Sequence, residues 1–480
     1  MLFNSLAFLI FLPIAFFCYW FIFNKNTKQQ NLYLIAISYL FYGWWDWRFL
    51  ILIIASSVVD FLVAKKIAYS STNLIRKRYL WLSIIFNLGI LCLFKYFNFF
   101  VDSFIYLLSS LGFSLENTLA LNVILPIGIS FYTFQTMSYS IDVYRQKIKP
   151  TNSIINFFAF VSFFPQLVAG PIEKASHFLP QFSKPRKFNY DKAVDGTRQI
   201  LWGFFKKVAI ADVLAMPIDQ IFSNYQQLSS GLLCIGVVMF AVQLYCDFSG
   251  YSDIAIGTAS LFGFNLMDNF RTPYFAKSTS ELWRRWHISL TSYVNEYLFL
   301  PLAFKYRKKL YLVLCSIVFA FTMTGLWHGA NWTFVVFGMW HGLIVAFEFF
   351  TLKKRKVLFK KIPSFFISFI GWAVTMLVWF VGNILFRSES LGMAFQYLRG
   401  ILIGSDRNEN FLDQLQRIDV LDFFSSSSCM VVFSVLVMII FEWRSRDGRH
   451  GLSTMSRILF LRILCYTFLL LGVTKYFFSE

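Results

Sequence analysis

Apolar residues fall in long blocks along this chain, at 2–23, 31–45, 49–64, 79–100, 123–140, 153–169, 231–246, 310–327, 332–350, 364–386, 425–442 and 456–478. A membrane span needs about 20 mostly apolar residues. Irregular backbone facing lipid leaves polar groups unpaired, so the blocks read as helices. The shorter ones read as tilted, re-entrant or half-buried, which sets the expectation at ten to twelve crossings. The first block has no basic region before it and no small-residue cleavage site, and Lys25 and Lys28 follow it. It reads as a first transmembrane helix rather than a cleavable signal. Between the blocks, 170–230 and 264–303 are less hydrophobic and hold Pro171, Pro180, Pro185, Pro217, Pro273 and Pro301. These stretches are too polar to span and too aromatic to lie free in water, so interfacial or re-entrant helices are expected there. No internal repeat or Gly/Ser linker is visible, and the chain reads as one folded unit, all-α and polytopic.

Composition strengthens this picture. Of 480 residues, 57% are hydrophobic, 20% are aromatic (61 are Phe) and 14% are charged. An average soluble domain has about 25% charged residues. A soluble chain of this length has too few charges to cover so much apolar surface, and a disordered one is poor in aromatics. The net charge of +19, from 44 basic and 25 acidic residues, fits cytoplasmic loops rather than a nucleic-acid surface, because no basic face lies outside hydrophobic context. Loops at 24–30, 65–78 and 145–149 are basic, whereas 101–122 carries Asp102 and Glu116 alone. Basic clusters at 305–309, 353–361 and 444–449 continue the alternation, with 387–424 as an outer loop. The rule places both termini outside the cytoplasm. The seven cysteines are odd in number and form no C-x-x-C pair, so neither a disulfide framework nor a zinc site is expected.

Ionisable groups within membrane segments are costly, and each is a candidate for function. Residues 278–300 read STSELWRRWHISLTSYVNEYLFL. Ser278 and Glu281 have capping-box spacing, so a helix is expected to start there and to stop at Pro301. Trp283, Trp286 and His287 recur on one face, beside Arg284 and Arg285. The bland reading of the two arginines is a headgroup-level interface helix. His287, on the apolar side, needs a polar partner. Residues 324–342 read TGLWHGANWTFVVFGMWHG. His328 sits at a hairpin tip, where a neutral imidazole can take a proton from a hydroxyl or bond a carbonyl structurally. Asn331 is placed to orient a histidine. His341, mid-helix, reads as structural or substrate-facing. Gly329 and Gly342 allow close approach by backbone or substrate. Asp247 and Asp253, in QLYCDFSGYSDIAIG, suggest ion pairs with Arg284 or Arg285, or a helix terminus. No His or Cys completes a metal set around them. Walker A, G-x-G-x-x-G and G-x-S-x-G patterns are absent from the sequence.

Together, MLFNSLAFLIFLPIAF, SYLFYGWWDWRFL, FFPQLVAGPIEK, YCDFSGYSDIAIG, LWRRWHISL and GLWHGANWTFVVFGMWHG resemble the membrane-bound O-acyltransferase family, in its bacterial alginate O-acetyltransferase-like branch. After YLFLPL this chain reads AFKYRKK, where that branch usually runs Gly-Gly-Asn-Arg. The resemblance implies helices around a central tunnel, in N-terminal (1–169), catalytic-core (170–350) and C-terminal (351–480) parts. It implies transfer of an acetyl group from a cytoplasmic donor to a cell-envelope or secreted polysaccharide. Acetyl-CoA would be the donor substrate, with no bound cofactor. The partners would be membrane lipids and an extracytoplasmic, esterase-like acetyltransferase, in the inner (plasma) membrane. By the resemblance His328 is catalytic and His287 is the second functional histidine. Asn331 or Trp327 would serve as supporting donor. Trp283, Arg284, Arg285, Trp286, Asp247, Asp253 and His341 complete the expected substrate-binding set. Three alternatives stay open: D-alanyl or other acyl transfer to teichoic acid from a carrier protein; in a different class, transport of a lipid-linked sugar; and a membrane scaffold that only recruits an extracytoplasmic transferase.

Overall fold

A computed structural model describes residues 1–113, 121, 124–168, 170–404, 428–446, 448–453, 466, 467, 469, 470, 473 and 474. Among them every regular element is a helix, as expected for backbone that must satisfy itself within lipid. The chain divides into two compact units, residues 1–196 with 255–267 and residues 197–254 with 268–480.

The first unit holds α1 (Leu6–Phe17), α2 (Thr27–Asp46), α3 (Leu50–Tyr69), α4 (Asn73–Leu91), α5 (Phe97–Ser110), α6 (Ile129–Tyr144), α7 (Ile154–Ser162), and the single turns α8 (Phe164–Leu167) and α9 (Ala175–Phe178). Small polar residues set the starts. Ser5 accepts from the Phe8 N–H at 3.3 Å and Asn26 from the Gln29 N–H at 2.9 Å. At 20 residues each, α2 and α3 are about 30 Å long. Asp46 turns the chain between them, accepting from the Arg48 N–H at 3.0 Å. The block at 153–169 does not form a span. The backbone leaves the helical region at Phe163, and Pro165 starts a separate turn. Likewise, residues expected in the loop after position 100 continue as α5 to Ser110. Asp60 is fully buried and accepts from Ser83 Oγ, from Ser140 Oγ at 2.5 Å and from Asn87 Nδ2 at 2.6 Å. This node ties α3, α4 and α6 together. Leaving one of its polar groups unpaired would cost about 1–3 kcal/mol.

The second unit is built from the C-terminal part of α10 (Tyr190–Lys206), α11 (Val213–Ser223), most of α12 (Ser230–Leu261), the short α13 (Thr279–Arg285), α14 (Ile288–Val294) and α15 (Leu300–Lys305), and then α16 (Leu310–His328), α17 (Trp332–Leu358), α18 (Ser364–Arg387), α19 (Leu391–Ile403) and α20 (Ser428–Arg444). In the α16–α17 hairpin a Cβ at Gly325 would overlap the Phe334 carbonyl, and one at Gly338 the Phe321 carbonyl. Small residues let membrane helices approach closely, because packing rather than hydrophobicity drives their association. Six helical stretches among the described residues are long and apolar enough to cross a membrane: Thr27–Tyr69, Asn73–Ser110, Ser230–Leu261, Leu310–His328, Trp332–Lys361 and Ser364–Arg387. Two of the expected blocks, 31–45 and 49–64, fall within the first stretch. Leu6–Ile22 and Leu391–Ile403 are shorter apolar helices. Within the block at 425–442 the described helix is Ser428–Arg444, and most of the 456–478 block lies outside the described residues. The segment 391–403, expected in an outer loop, is helical.

Candidate functional site

The site forms where a helix breaks. Ser278 caps α13, accepting from the Glu281 N–H at 3.1 Å, and Glu281 reaches back to the Lys277 N–H at 2.9 Å. The expected start is therefore correct. The expected continuous helix to Pro301 is not. The chain leaves the helix at Trp286 and passes through left-handed backbone at His287 (φ 43°, ψ 53°) before α14 begins. Pro301 does not end a helix either: a π-helical turn, Asn295–Phe299, joins α14 to α15, and Pro301 lies at the start of α15 within that continuous helical run. The reason is tertiary. Asn269 accepts from the Ile288 N–H at 2.9 Å through its carbonyl, and from Ser289 Oγ at 2.9 Å through its side chain. Arg271 N–H meets the Arg285 carbonyl at 2.9 Å. The strap at 269–271 thus satisfies backbone groups that a continuous helix would have paired internally. Asn269 is in turn bonded by its Nδ2 to Ser252 Oγ at 3.0 Å.

The break drives the His287 ring into the interior, where it is fully buried. Its centroid lies 4.6 Å from Phe248, 5.6 Å from Trp327 and 6.2 Å from His328. Neither imidazole nitrogen has a hydrogen-bond partner among the described residues. Burial, and after it the facing His328, hold its pKa well below the ordinary histidine range, so the ring is neutral. A left-handed, fully buried, polar side chain violates several local preferences at once. Such strain collects at functional sites.

His328 is the last residue of α16, half-buried, with Trp327 at 5.2 Å, Phe386 at 5.3 Å and Phe337 at 6.1 Å. Two histidines from separate sequence motifs are thus brought face to face. Asn331 is not oriented toward them. Its side chain caps α17 through the Thr333 N–H at 3.0 Å and donates to the Glu389 carbonyl at 2.8 Å, so the expected role in orienting a histidine is taken up by helix capping. His341 stands apart from the pair. It is fully buried among Phe337 (4.8 Å), Trp283 (5.3 Å) and Trp379 (5.6 Å), with neither nitrogen bonded. Only a glycine at 382 admits it, since a Cβ there would overlap its Nε2. Gly342 does permit backbone approach, to Val318 of α16, whereas Gly329 is covered by the Phe334 ring.

Trp283 and Trp286 are core residues, Trp286 packing on Trp379 at 4.7 Å. Arg285 pairs with Glu281 at 2.6 Å, and Arg284 is exposed. The expected pairing of Asp247 and Asp253 with these arginines is wrong. Asp253 meets Lys206 at 2.7 Å and Asp247 meets Lys207 at 2.6 Å. Lys206 is nearly fully buried and also faces Glu442 at 3.6 Å. Burial disfavours its charge, but Asp253 and then Glu442 outweigh that and raise its pKa. Tyr245 donates to Glu442 at 2.7 Å, and its ring lies 6.2 Å from Trp286, next to His287 in the chain. Lys206, Glu442, Asn269 and Phe248 were all missed from sequence. Only Glu442, an acid at the end of an apolar run, carried a usable signal. Among the described residues no cluster of three or more His, Cys, Asp or Glu is placed to hold a metal ion.

The chain belongs to the membrane-bound O-acyltransferase family, whose model matches residues 78–392. It is 39% identical over 396 residues to a probable alginate O-acetylase, AlgI, of Pseudomonas syringae pv. tomato, covering 82% of this chain and 74% of that one. It is 33% identical over 432 residues to the peptidoglycan O-acetyltransferase of Helicobacter pylori, covering 84% and 80%. Against the teichoic acid D-alanyltransferase of Bacillus subtilis it is 28% identical over 256 residues, 51% of this chain and 63% of that one. It is accordingly a multi-pass membrane O-acyltransferase.

Proposed function

We propose that this chain moves an acetyl group from a cytoplasmic donor, acetyl-CoA, across the membrane for O-acetylation of a cell-envelope or secreted polysaccharide. One observation carries the reading. The His287 and His328 rings lie 6.2 Å apart, centroid to centroid, in an aromatic enclosure, and neither nitrogen of the buried one is bonded among the described residues. Buried polar groups ordinarily have partners; His341 lacks them as well, but His287 stands beside a second, half-buried histidine. A pair that handles a substrate keeps its polar atoms for the substrate.

In this reading His328 accepts the proton of the acceptor hydroxyl as its oxygen attacks the thioester carbonyl carbon. The C–O bond forms, the C–S bond breaks, and the thiolate takes the proton back from the imidazolium. His287, neutral and with one N–H to give, stabilises the oxyanion, with the Trp327 indole as second donor. The acceptor hydroxyl belongs to the polysaccharide or to an extracytoplasmic, esterase-like acetyltransferase that passes the group on. The protein sits in the inner (plasma) membrane with its N-terminus outside, as the basic loops require. A tunnel joining the two faces would let thioester and hydroxyl meet at the histidines, and the chain works as one catalytic unit.

D-alanyl transfer from a carrier protein is the second reading, supported by the likeness to the D-alanyltransferase. The test is transfer by purified protein in lipid from radiolabelled acetyl-CoA, beside D-alanyl carrier protein, for wild type, His328→Ala and His287→Ala. Thioester consumption from acetyl-CoA that is lost in His328→Ala supports the first reading. Consumption from the carrier alone supports the second. Function in cells that survives His328→Ala without thioester turnover overturns both in favour of transport.

A further inference from the structure

A cavity of about 690 Å³ opens within the second unit between α13–α14 and the α16–α17 hairpin. That is the size range of small-ligand pockets, roughly 300–1,000 Å³. Neither His287 nor His328 lines it. On the inner side Trp283 is interposed, its ring 5.3 Å from His341. The cavity lining is amphipathic. Ile317, Phe321 and Val345 form one part, and Arg284, Ser280 and Arg355 the other. Phe349 and Leu352 also line it while remaining 52% and 45% exposed. On a membrane protein, exposed apolar side chains at a cavity wall face lipid, not water.

The charges at the polar part are unbalanced. Glu348 is the acid there, and it is already committed. Its carboxylate accepts from the Thr279 N–H at 2.8 Å, the Ser280 N–H at 2.9 Å and Ser280 Oγ at 2.6 Å. Arg355 donates through one terminal nitrogen to the Glu348 carbonyl at 2.8 Å, while its Nε is buried with no partner. Arg284 has no ion pair among the described residues, whereas its neighbour Arg285 does. The Trp283 indole N–H is buried and also without an acceptor. Lys353, Lys354 and Lys356 surround Arg355 in the chain, on the side that the charge rule assigns to the cytoplasm.

We infer that this cavity is a binding site for an anionic glycerophospholipid of the cytoplasmic leaflet, its phosphate held by Arg284 and Arg355 and one acyl chain lying along Ile317, Phe321 and Val345. Guanidinium groups match phosphate oxygens in geometry and charge, and the leaflet's anionic lipids are drawn to basic segments at this depth. The site is separate from the histidine pair, so it stands whether the acyl group transferred is acetyl or D-alanyl.

The test is native mass spectrometry of the detergent-purified full chain titrated with 1-palmitoyl-2-oleoyl-phosphatidylglycerol or the phosphatidylcholine of the same chains. Wild type, Arg284→Gln/Arg355→Gln and Val345→Phe are compared, each checked for monodisperse elution. Wild type is expected to prefer phosphatidylglycerol at least about tenfold. The double variant loses that preference while keeping weak binding of both lipids, and Val345→Phe weakens both. Equal phosphatidylglycerol binding by wild type and the double variant overturns the site. Displacement of the lipid by inorganic phosphate marks a simple anion site and overturns the lipid assignment. Displacement by acetyl-CoA assigns the cavity to the donor and overturns it equally.

Discussion

Substituting His287 by Ala and by Gly separates the two things this residue does. Its backbone is left-handed, at φ 43° and ψ 53°, which costs an L residue about 1–2 kcal/mol. Its ring is fully buried with both nitrogens unpartnered, at about 1–3 kcal/mol for each orphaned group. Against wild type these terms mix, because removing the ring relieves desolvation and opens a cavity together. Between Ala and Gly the ring terms cancel and the backbone term remains. In ordinary helix Gly is about 0.5–1 kcal/mol worse than Ala. Here the order is expected to invert, with Gly more stable by about 1 kcal/mol, read as a rise of about 2 °C in the unfolding midpoint in detergent. Acyl transfer is expected to fall 10²–10⁴-fold in both variants alike, the range for loss of a positioned acid–base group. An Ala variant more stable than Gly would refute the strain argument. A Gly variant that transfers at the wild-type rate would show that the turn, not the imidazole, is what function needs.

Replacing His328 by Ala is expected to cut transfer at least about 10²-fold while membrane accumulation is unchanged on an immunoblot; a fall in accumulation matching the fall in rate would point to folding instead. His287 is held neutral by burial, so below about pH 6.5 the unfolded chain gains a proton that the folded one refuses. Stability is then expected to fall with pH, by about 1.4 kcal/mol per unit from this group. Unfolding midpoints between pH 7 and pH 5 should show that slope in wild type and a shallower one in His287→Gln. Lys206→Met strands Asp253 and Glu442 without their shared cation and is expected to cost about 3–5 kcal/mol; a midpoint within a degree of wild type would show the pairing to be dispensable. Gly382→Ala pushes a methyl into His341 and should cost about 1–3 kcal/mol in wild type but little in a His341→Ala background. Additive effects in that cycle would refute the contact.

What could be read from sequence was what local chemistry decides. Membrane helices followed from apolar block length, and the α13 start followed from Ser278 and Glu281, whose hydrogen bonds lie within the motif itself. The two key histidines were visible because a titratable group in an apolar setting stands out. What failed had its cause elsewhere in the chain. Nothing within 278–300 marks the break at Trp286–His287, because its backbone partners belong to Asn269 and Arg271. Asp253 looked toward the nearby arginines, yet its partner is Lys206, in a helix long before it, and the acid sharing that lysine lies in α20, far after it. Proline ends more helices than it continues, yet at Pro301 the helical run passes from α14 through the π-helical turn Asn295–Phe299 into α15. These errors share a location. The misjudged break and the missed strap both lie at His287, and Tyr245, which donates to the acid of the misassigned ion pairs, packs near the neighbouring Trp286. Local rules are broken together where a fold holds something against its preference, and here that is a neutral imidazole, turned inward, with nothing among the described residues bonded to it. The Asn269 strap fixes the turn that carries that ring, through Ile288 and Ser289 on its C-terminal side, and this makes His287, as much as His328, a residue that the second unit sets apart from its local preferences.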